Sequence, residues 1–303
     1  MKSLSFPIAI ASMLFLGCVE KPSLQNPESP AYETDAFKRY WYNGLAEINA
    51  YNLEQVRYGE VHTGKAVLIF VSEDFSKSKQ VKLDNPQVAG DDKLSVLKLN
   101  FTKNFVTGIY PYSMMLSAFT PIQYIETPAT PKITMSAQEW CGHSFTQLNL
   151  SRNKYNLQSL SYFESDGDVN TAVEKYLLED EVWSLIRIEP RLLPEGEFTI
   201  LPGLFYTRLQ HKSIAPLSVV GSKTSNDSTS VYTLTYTDRS LAITYENTIP
   251  FNIISWEETF KANNETMVTK GVLDKRINLD YWSKNKKEFI HFRDSLGLSP
   301  TNY

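Results

Sequence analysis

The sequence predicts a mainly β protein: one or more curved antiparallel sheets, half-barrel or sandwich-like, with a mid-chain helix and a C-terminal helix. Three observations carry this. Short runs rich in Val, Ile, Phe and Tyr recur at regular spacing with turn-forming residues between them, the pattern of a sandwich or barrel. Alternation is strict in places. In "VYTLTYT", Val231, Thr233, Thr235 and Thr237 fall on one face and Tyr232, Leu234 and Tyr236 on the other. Aromatic residues make up 13% of the 303, which suits a large β-rich core.

The chain opens "MKSLSFPIAIASMLFLGC". Lys2 precedes an apolar run from Phe6 to Leu16, too short for the roughly 20 residues a membrane span takes. Residues 1–17 have the layout of a signal peptide. "FLGC" resembles the lipobox of bacterial lipoproteins, which implies lipid attachment at Cys18. Residues 18–36 are polar and Pro-rich, a tether. Loss of Lys2 takes the formal charge from -4 to -5. That mild acidity argues against nucleic acid, which needs clustered Lys and Arg. Val19 after Cys18 is compatible with sorting to the outer membrane, facing the periplasm.

Residues 37–190 read as an N-terminal antiparallel β region ending in a helix. "KAVLIFVSEDF" is a buried-strand run. In "KLSVLKLNFTKNF" the inward phase shifts once between Val96 and Leu97. Pro111 marks an edge or bulge, and "LSRN" a hairpin connection. The meander extends from about Leu45 to Glu164. Helical spacing of Val173, Leu177, Leu178, Val182, Leu185 and Ile186 predicts the mid-chain helix, N-capped by Asp168 or Asn170. "EPRLLPEGEFTILPG" is the best place for a crossover. Residues 191–303 form a second antiparallel region, closed by a helix with Phe289, Phe292 and Leu296 inward and Gly297 as its cap.

Chemistry-bearing motifs are few. CxxC, HExxH, GxSxG, P-loop and GxGxxG patterns do not occur, so neither a metal nor a cofactor is expected. The stretch "QEWCGHSF" stands out. Read as a strand, it places Glu139, Cys141 and His143 on one face, neighbours about 6.6 Å apart. A Cys141–His143 pair could make a thiolate nucleophile. The blander reading is a largely buried, slow-reacting thiol with His143 beside it, and this is the expectation. Gly142 leaves room for a neighbouring ring, either Trp140 from the next pleat or a cross-strand one. Trp41, Tyr110, Tyr112, Met114 and Trp140 are candidates to line a ligand groove. "ESDGD" reads as a turn rather than a calcium loop. Asp227-Ser228-Thr229 resembles a short O-glycosylation signal of bacterial envelopes, with Ser228 as acceptor.

The stretches "YWYNGLAEINAYNLEQVRYGEVHTGKAVLIFVSEDFSKSKQVKLDNP", "VLKLNFTKNFVTGIYPYSMM", "QEWCGHSF" and "SYFESDGD" resemble a group of bacterial envelope lipoproteins often labelled "septum formation inhibitor Maf". The resemblance implies an envelope location and this architecture. The Ser-Pro-Arg-like motif of genuine Maf pyrophosphatases does not occur, so no such activity and no catalytic residue is implied. "ITYENTIPFNIISWEETF" is similar to envelope proteins built on a strongly curved sheet, where the concave face of lipoprotein carriers binds acyl chains.

The expectation is a membrane-anchored, non-catalytic lipoprotein that binds an apolar ligand or an envelope protein. The alternatives are a thiol-dependent hydrolase or transferase using Cys141 and His143, and an assembly factor without a small ligand. An apolar cavity marks the first, a Cys141–His143 contact in a cleft the second, and a filled core with an apolar surface patch the third.

Overall fold

Fifteen strands hydrogen-bond into one sheet in a computed structural model that describes residues 29–262 and 265–298. Residues 1–17, Cys18 and most of the tether lie outside the described residues. The strands are β1 (Ala46–Arg57), β2 (Glu60–Ser76), β3 (Lys93–Thr107), β4 (Tyr110–Pro121), β5 (Lys132–Glu139), β6 (Gly142–Ser151), β7 (Lys154–Ser161) and β8 (Val169–Glu174). After these come β9 (Leu177–Leu178), β10 (Gly196–Leu201), β11 (Leu217–Ser225), β12 (Thr229–Thr235), β13 (Arg239–Glu246), β14 (Ile253–Ala262) and β15 (Glu265–Leu279). The sheet order is β8-β7-β6-β5-β4-β3-β2-β1-β15-β14-β13-β12-β11-β10-β9. Every pair is antiparallel except β9 with β10.

This order dictates a curled sheet. β8 and β9 are its two edges, yet only Lys175 and Tyr176 separate them in the chain. Three residue steps reach at most about 11 Å, whereas fifteen flat strands would part their edges by about 67 Å. The sheet therefore bends round on itself without closing into a barrel.

The chain then plunges into the hollow. Helix α2 (Glu179–Ile188) follows α1 (Asp35–Trp41) in the sequence, and all ten of its residues are buried. The Glu181 side chain accepts the Leu178 N–H at 2.9 Å, capping the helix start. Trp183 stands edge-on to Phe101 and Trp256, with centroids 5.2 and 5.5 Å away. A third helix, α3 (Leu204–Leu209), adds Phe205 against Phe101. The main core thus lies between these helices and the inward residues of both halves of the sheet.

Alternation holds closely. Tyr232, Leu234 and Tyr236 are all buried. The phase shift in β3 is also real: Leu97, Leu99 and Phe101 face the main core, while Leu94 and Val96 join Phe75 in a separate cluster. β4 pairs with β5 only from Ser113 onward, so Pro111 costs no ladder bond on that side. "LSRN" holds the tight β6–β7 hairpin.

Both predicted helices are shorter than their periodicity suggests. Residues 169–174 form edge strand β8, paired to β7, and the helix starts only at Glu179. Asp168 accepts the Ser161 N–H instead of capping a helix. Apolar residues at Val173, Leu177 and Leu178 satisfied helical spacing by coincidence, and sheet pairing decided the outcome. The C-terminal stretch is broken into short turns and α4 (His291–Ser295), with Leu296 buried against Ile48, Ala50 and Val67 on the outer face of the sheet. Phe289 and Phe292 are only half-buried. Gly297, at φ +64°, ends the segment as expected.

Candidate functional site

The hollow of the sheet is occupied by structure. Arg187 of α2 bonds Glu47 of β1 through both terminal nitrogens, at 2.6 and 2.7 Å, with its guanidinium 4.6 Å from the Phe70 ring centre. Burial pushes the Glu47 carboxyl up. The Arg187 charge and hydrogen bonds, with those of Tyr40 and Asn49, overcome this and hold it below its usual value. Further along α2, Glu179 accepts from Arg239 at 2.5 and 2.6 Å and from Tyr236 at 2.5 Å, and Arg239 also reaches Glu258 at 2.6 Å. These buried charged groups are engaged with one another.

The "QEWCGHSF" stretch is a hairpin, which corrects the single-strand reading. Glu139 pairs with Gly142, so Trp140 and Cys141 form the two-residue turn between β5 and β6. Neither is a usual turn former, which hid the break. Cys141 and His143 are both exposed, which corrects the expected burial of the thiol. The Cys141 N–H donates to Glu139 at 2.7 Å. A hydrogen bond to the Glu139 carboxylate, then slight burial and the carboxylate's charge, push the thiol up. No hydrogen bond joins Cys141 to His143 among the described residues. A thiolate nucleophile needs the opposite environment.

Placing the turn there reveals a surface. In a meander, alternate turns fall at the same end of the sheet. The tips Tyr58-Gly59, Gly108-Ile109 and Trp140-Cys141 and the loop from Tyr162 therefore form a row. Ile109 is 81% exposed, Tyr162 72%, Trp140 68% and Tyr58 60%. Tyr110 donates to the Tyr58 hydroxyl at 3.1 Å, and the Tyr58 and Tyr112 hydroxyls lie 2.9 Å apart. The Trp140 ring stacks on Tyr110, with centroids 6.4 Å apart. Arg57 sits 4.3 Å over the Tyr58 ring and is bonded to the Leu209 carbonyl. Tyr162 packs against Gly142, where an added Cβ would meet its ring at 2.6 Å. This is the cross-strand ring that Gly142 left room for. The result is a fixed aromatic rim rather than a set of loose tips.

Of the five aromatic and Met candidates, the structure brings Tyr110, Tyr112 and Trp140 together at this rim. Trp41 and Met114 are core residues. None of the five lines either of two cavities. One, of about 490 Å³, opens beside Ser29 and is lined by Glu189, Tyr245 and Phe251. The other, of about 220 Å³, lies between β5–β8 and α3. Ser228 is exposed in the β11–β12 turn, its hydroxyl bonded to Asn226. "ESDGD" is a turn with Gly167 at φ +62°. Among the described residues no cluster of His, Cys, Asp and Glu could hold a metal, and no helix is long and apolar enough to cross a membrane.

Sequence reading missed Tyr58, Ile109 and Tyr162. "RYGE" and "TGIY" carried the signal, since each sets an apolar side chain beside a turn glycine.

No family model and no curated protein matches the chain. A crystal structure described as a beta-barrel-like protein of domain of unknown function DUF1849, from Brucella abortus, is similar over 77% of this chain and 97% of its own. The identity is 10% and the TM-score 0.46.

Proposed function

We propose that the protein is a non-catalytic cell-envelope lipoprotein, held to a membrane through lipid on Cys18, that docks a partner protein on its aromatic rim. The rim is the observation that carries this reading. Tyr, Trp and Arg are the residues that dominate protein interfaces, and here they are pre-ordered by mutual hydrogen bonds and stacking. A helix-filled hollow beside an exposed apolar patch is the combination expected of an assembly factor. A bilayer suits the rim less well. The chain is acidic, at -4, and anionic lipid surfaces recruit clustered Lys and Arg. The thiol-enzyme alternative is disfavoured by the raised Cys141 and by the lack of a hydrogen bond from it to His143 among the described residues.

A photo-crosslinking residue at Ile109 or Trp140 in living cells tests the docking. One discrete protein adduct is expected from both, absent when the probe stands at Val272 and lost on Tyr58→Asp. Adducts to phospholipid alone, or none, sink the proposal. The anchor is tested separately: Cys18→Ser should shift the protein from the membrane to the soluble fraction.

A further inference from the structure

We infer that the crevice of about 220 Å³ between β5–β8 and α3 is a binding site for an oxyanion carried on a small hydroxylated body. This stands apart from docking at the rim and rests on Arg208.

Arg208 is 93% buried, being 7% exposed, at the end of α3. Its Nε donates to the Ser144 hydroxyl at 2.7 Å, and the Phe163 ring lies 4.3 Å from its carbon. Its Nη1 has no acceptor. Four buried side-chain atoms lack partners among the described residues, and this is the one that belongs to a charged group. The nearest carboxylates stand off, Asp166 at 3.8 Å from Nη1 and Glu139 at 3.9 Å from Nη2. Both distances exceed hydrogen-bond reach. Each acid is held elsewhere. Glu139 takes the Cys141 N–H, and Asp166 takes Ser161 and sits 2.9 Å from His211 Nδ1. A desolvated guanidinium held in place with an unused donor is a site prepared for an oxygen acceptor.

The walls define the rest of the ligand. Ser144, Thr146, Ser159 and Thr171 present hydroxyls from three successive strands, β6 to β8, and His211 and Lys212 are also in the lining. Such a wall suits a ligand with several hydroxyl groups. The volume equals that of roughly seven waters, below the range of drug-sized pockets. Geometry selects the anion. Arg208 and Lys212 match Asp166 and Glu139 in charge, and the unused Nη1 donor of a buried guanidinium is best met by a charged oxygen acceptor.

Titration calorimetry with three probes tests this: glucuronate for anion and hydroxyls together, inorganic phosphate for the anion, and glucose for the hydroxyls. Glucuronate or phosphate should bind saturably, one per chain. Arg208→Lys should weaken that binding on the order of tenfold, as should Lys212→Gln, whose exposed side chain can change without threatening the fold. Trp140→Ser, at the rim, should leave it unchanged. Glucose bound as well as glucuronate, no binding of either anion, or binding indifferent to both Arg208→Lys and Lys212→Gln overturns the inference.

Discussion

Arg187 and Glu47 face each other with two parallel hydrogen bonds at 2.6 and 2.7 Å, and neither side chain is more than 1% exposed. The pair ties α2 to β1 at the centre of the sheet. Breaking such a pair from one side leaves a buried charge uncompensated and costs about 3–5 kcal/mol. Glu47→Gln and Arg187→Met should each lower the unfolding free energy by that much, read as a lower urea midpoint with an unchanged m-value. The double variant should lose clearly less than the sum. Additive losses would show that the two residues act independently.

Asp180 gives the fold a pH signature. Burial and the adjacent Glu179 carboxylate push its carboxyl up to about 8, against the Leu204 N–H, Arg239 and Lys103. The unfolded chain sheds this proton near pH 4. Folding therefore takes up a proton between pH 4 and 8. The stability from this site is complete below that window and lost as pH rises through it. Asp180→Asn keeps an acceptor for Leu204 and removes the titration. Its stability relative to wild type should climb from pH 5 to 8. A constant difference across that range contradicts the assignment.

Cys141 should alkylate completely in the folded protein, because it is exposed. The reaction with iodoacetamide near neutral pH should be slower than for a free thiol, since Glu139 disfavours the thiolate. Glu139→Gln should speed it. Cys141→Ser should change stability by no more than about 0.5 kcal/mol, as surface substitutions do. A Glu139→Gln variant no faster than wild type would remove the carboxylate from the explanation.

Gly271 in β15 lies under the Trp256 indole, whose ring atoms would sit 2.2 Å from an added Cβ. That ring also packs edge-on against Tyr51, Phe101 and Trp183. Overpacking of this kind costs about 1–3 kcal/mol. Gly271→Ala should therefore destabilise and alter the tryptophan fluorescence. Gly59→Ala, with nothing within 4 Å of its Cβ position, should cost only the strain of its φ of +78° and leave the buried tryptophans undisturbed.

Strand identity was legible because alternation is a local signal, and β12 fell where "VYTLTYT" placed it. Turns were legible only when their residues advertised them. Arg152-Asn153 between β6 and β7 did so, but Trp140-Cys141 did not. The mid-chain helix was misjudged at Val173, where the partner strand β7 overrode a helical spacing. The rim was illegible for another reason. Tyr58, Ile109, Trp140 and Tyr162 are spread over 105 sequence positions, and only the meander brings them into one row. Arg208 was equally hidden, because the lack of an acceptor at Nη1 is a property of the folded surroundings.

The pairing of β1 with β15 sets an order of assembly. Ala46 meets Leu279, so a strand from the start of the chain waits for one from its end. At about 5–20 residues per second, the ribosome finishes β15 on the order of ten to forty seconds after β1. Throughout that interval β1 has β2 on one side and a bare ladder on the other, with apolar residues on both faces. A bare apolar ladder is a template for any other extended chain. A chain cut short before Glu265 never covers it. An incomplete translation product of this protein is thus expected to present a sticky open edge, the feature by which chaperones and proteases distinguish it from the finished molecule.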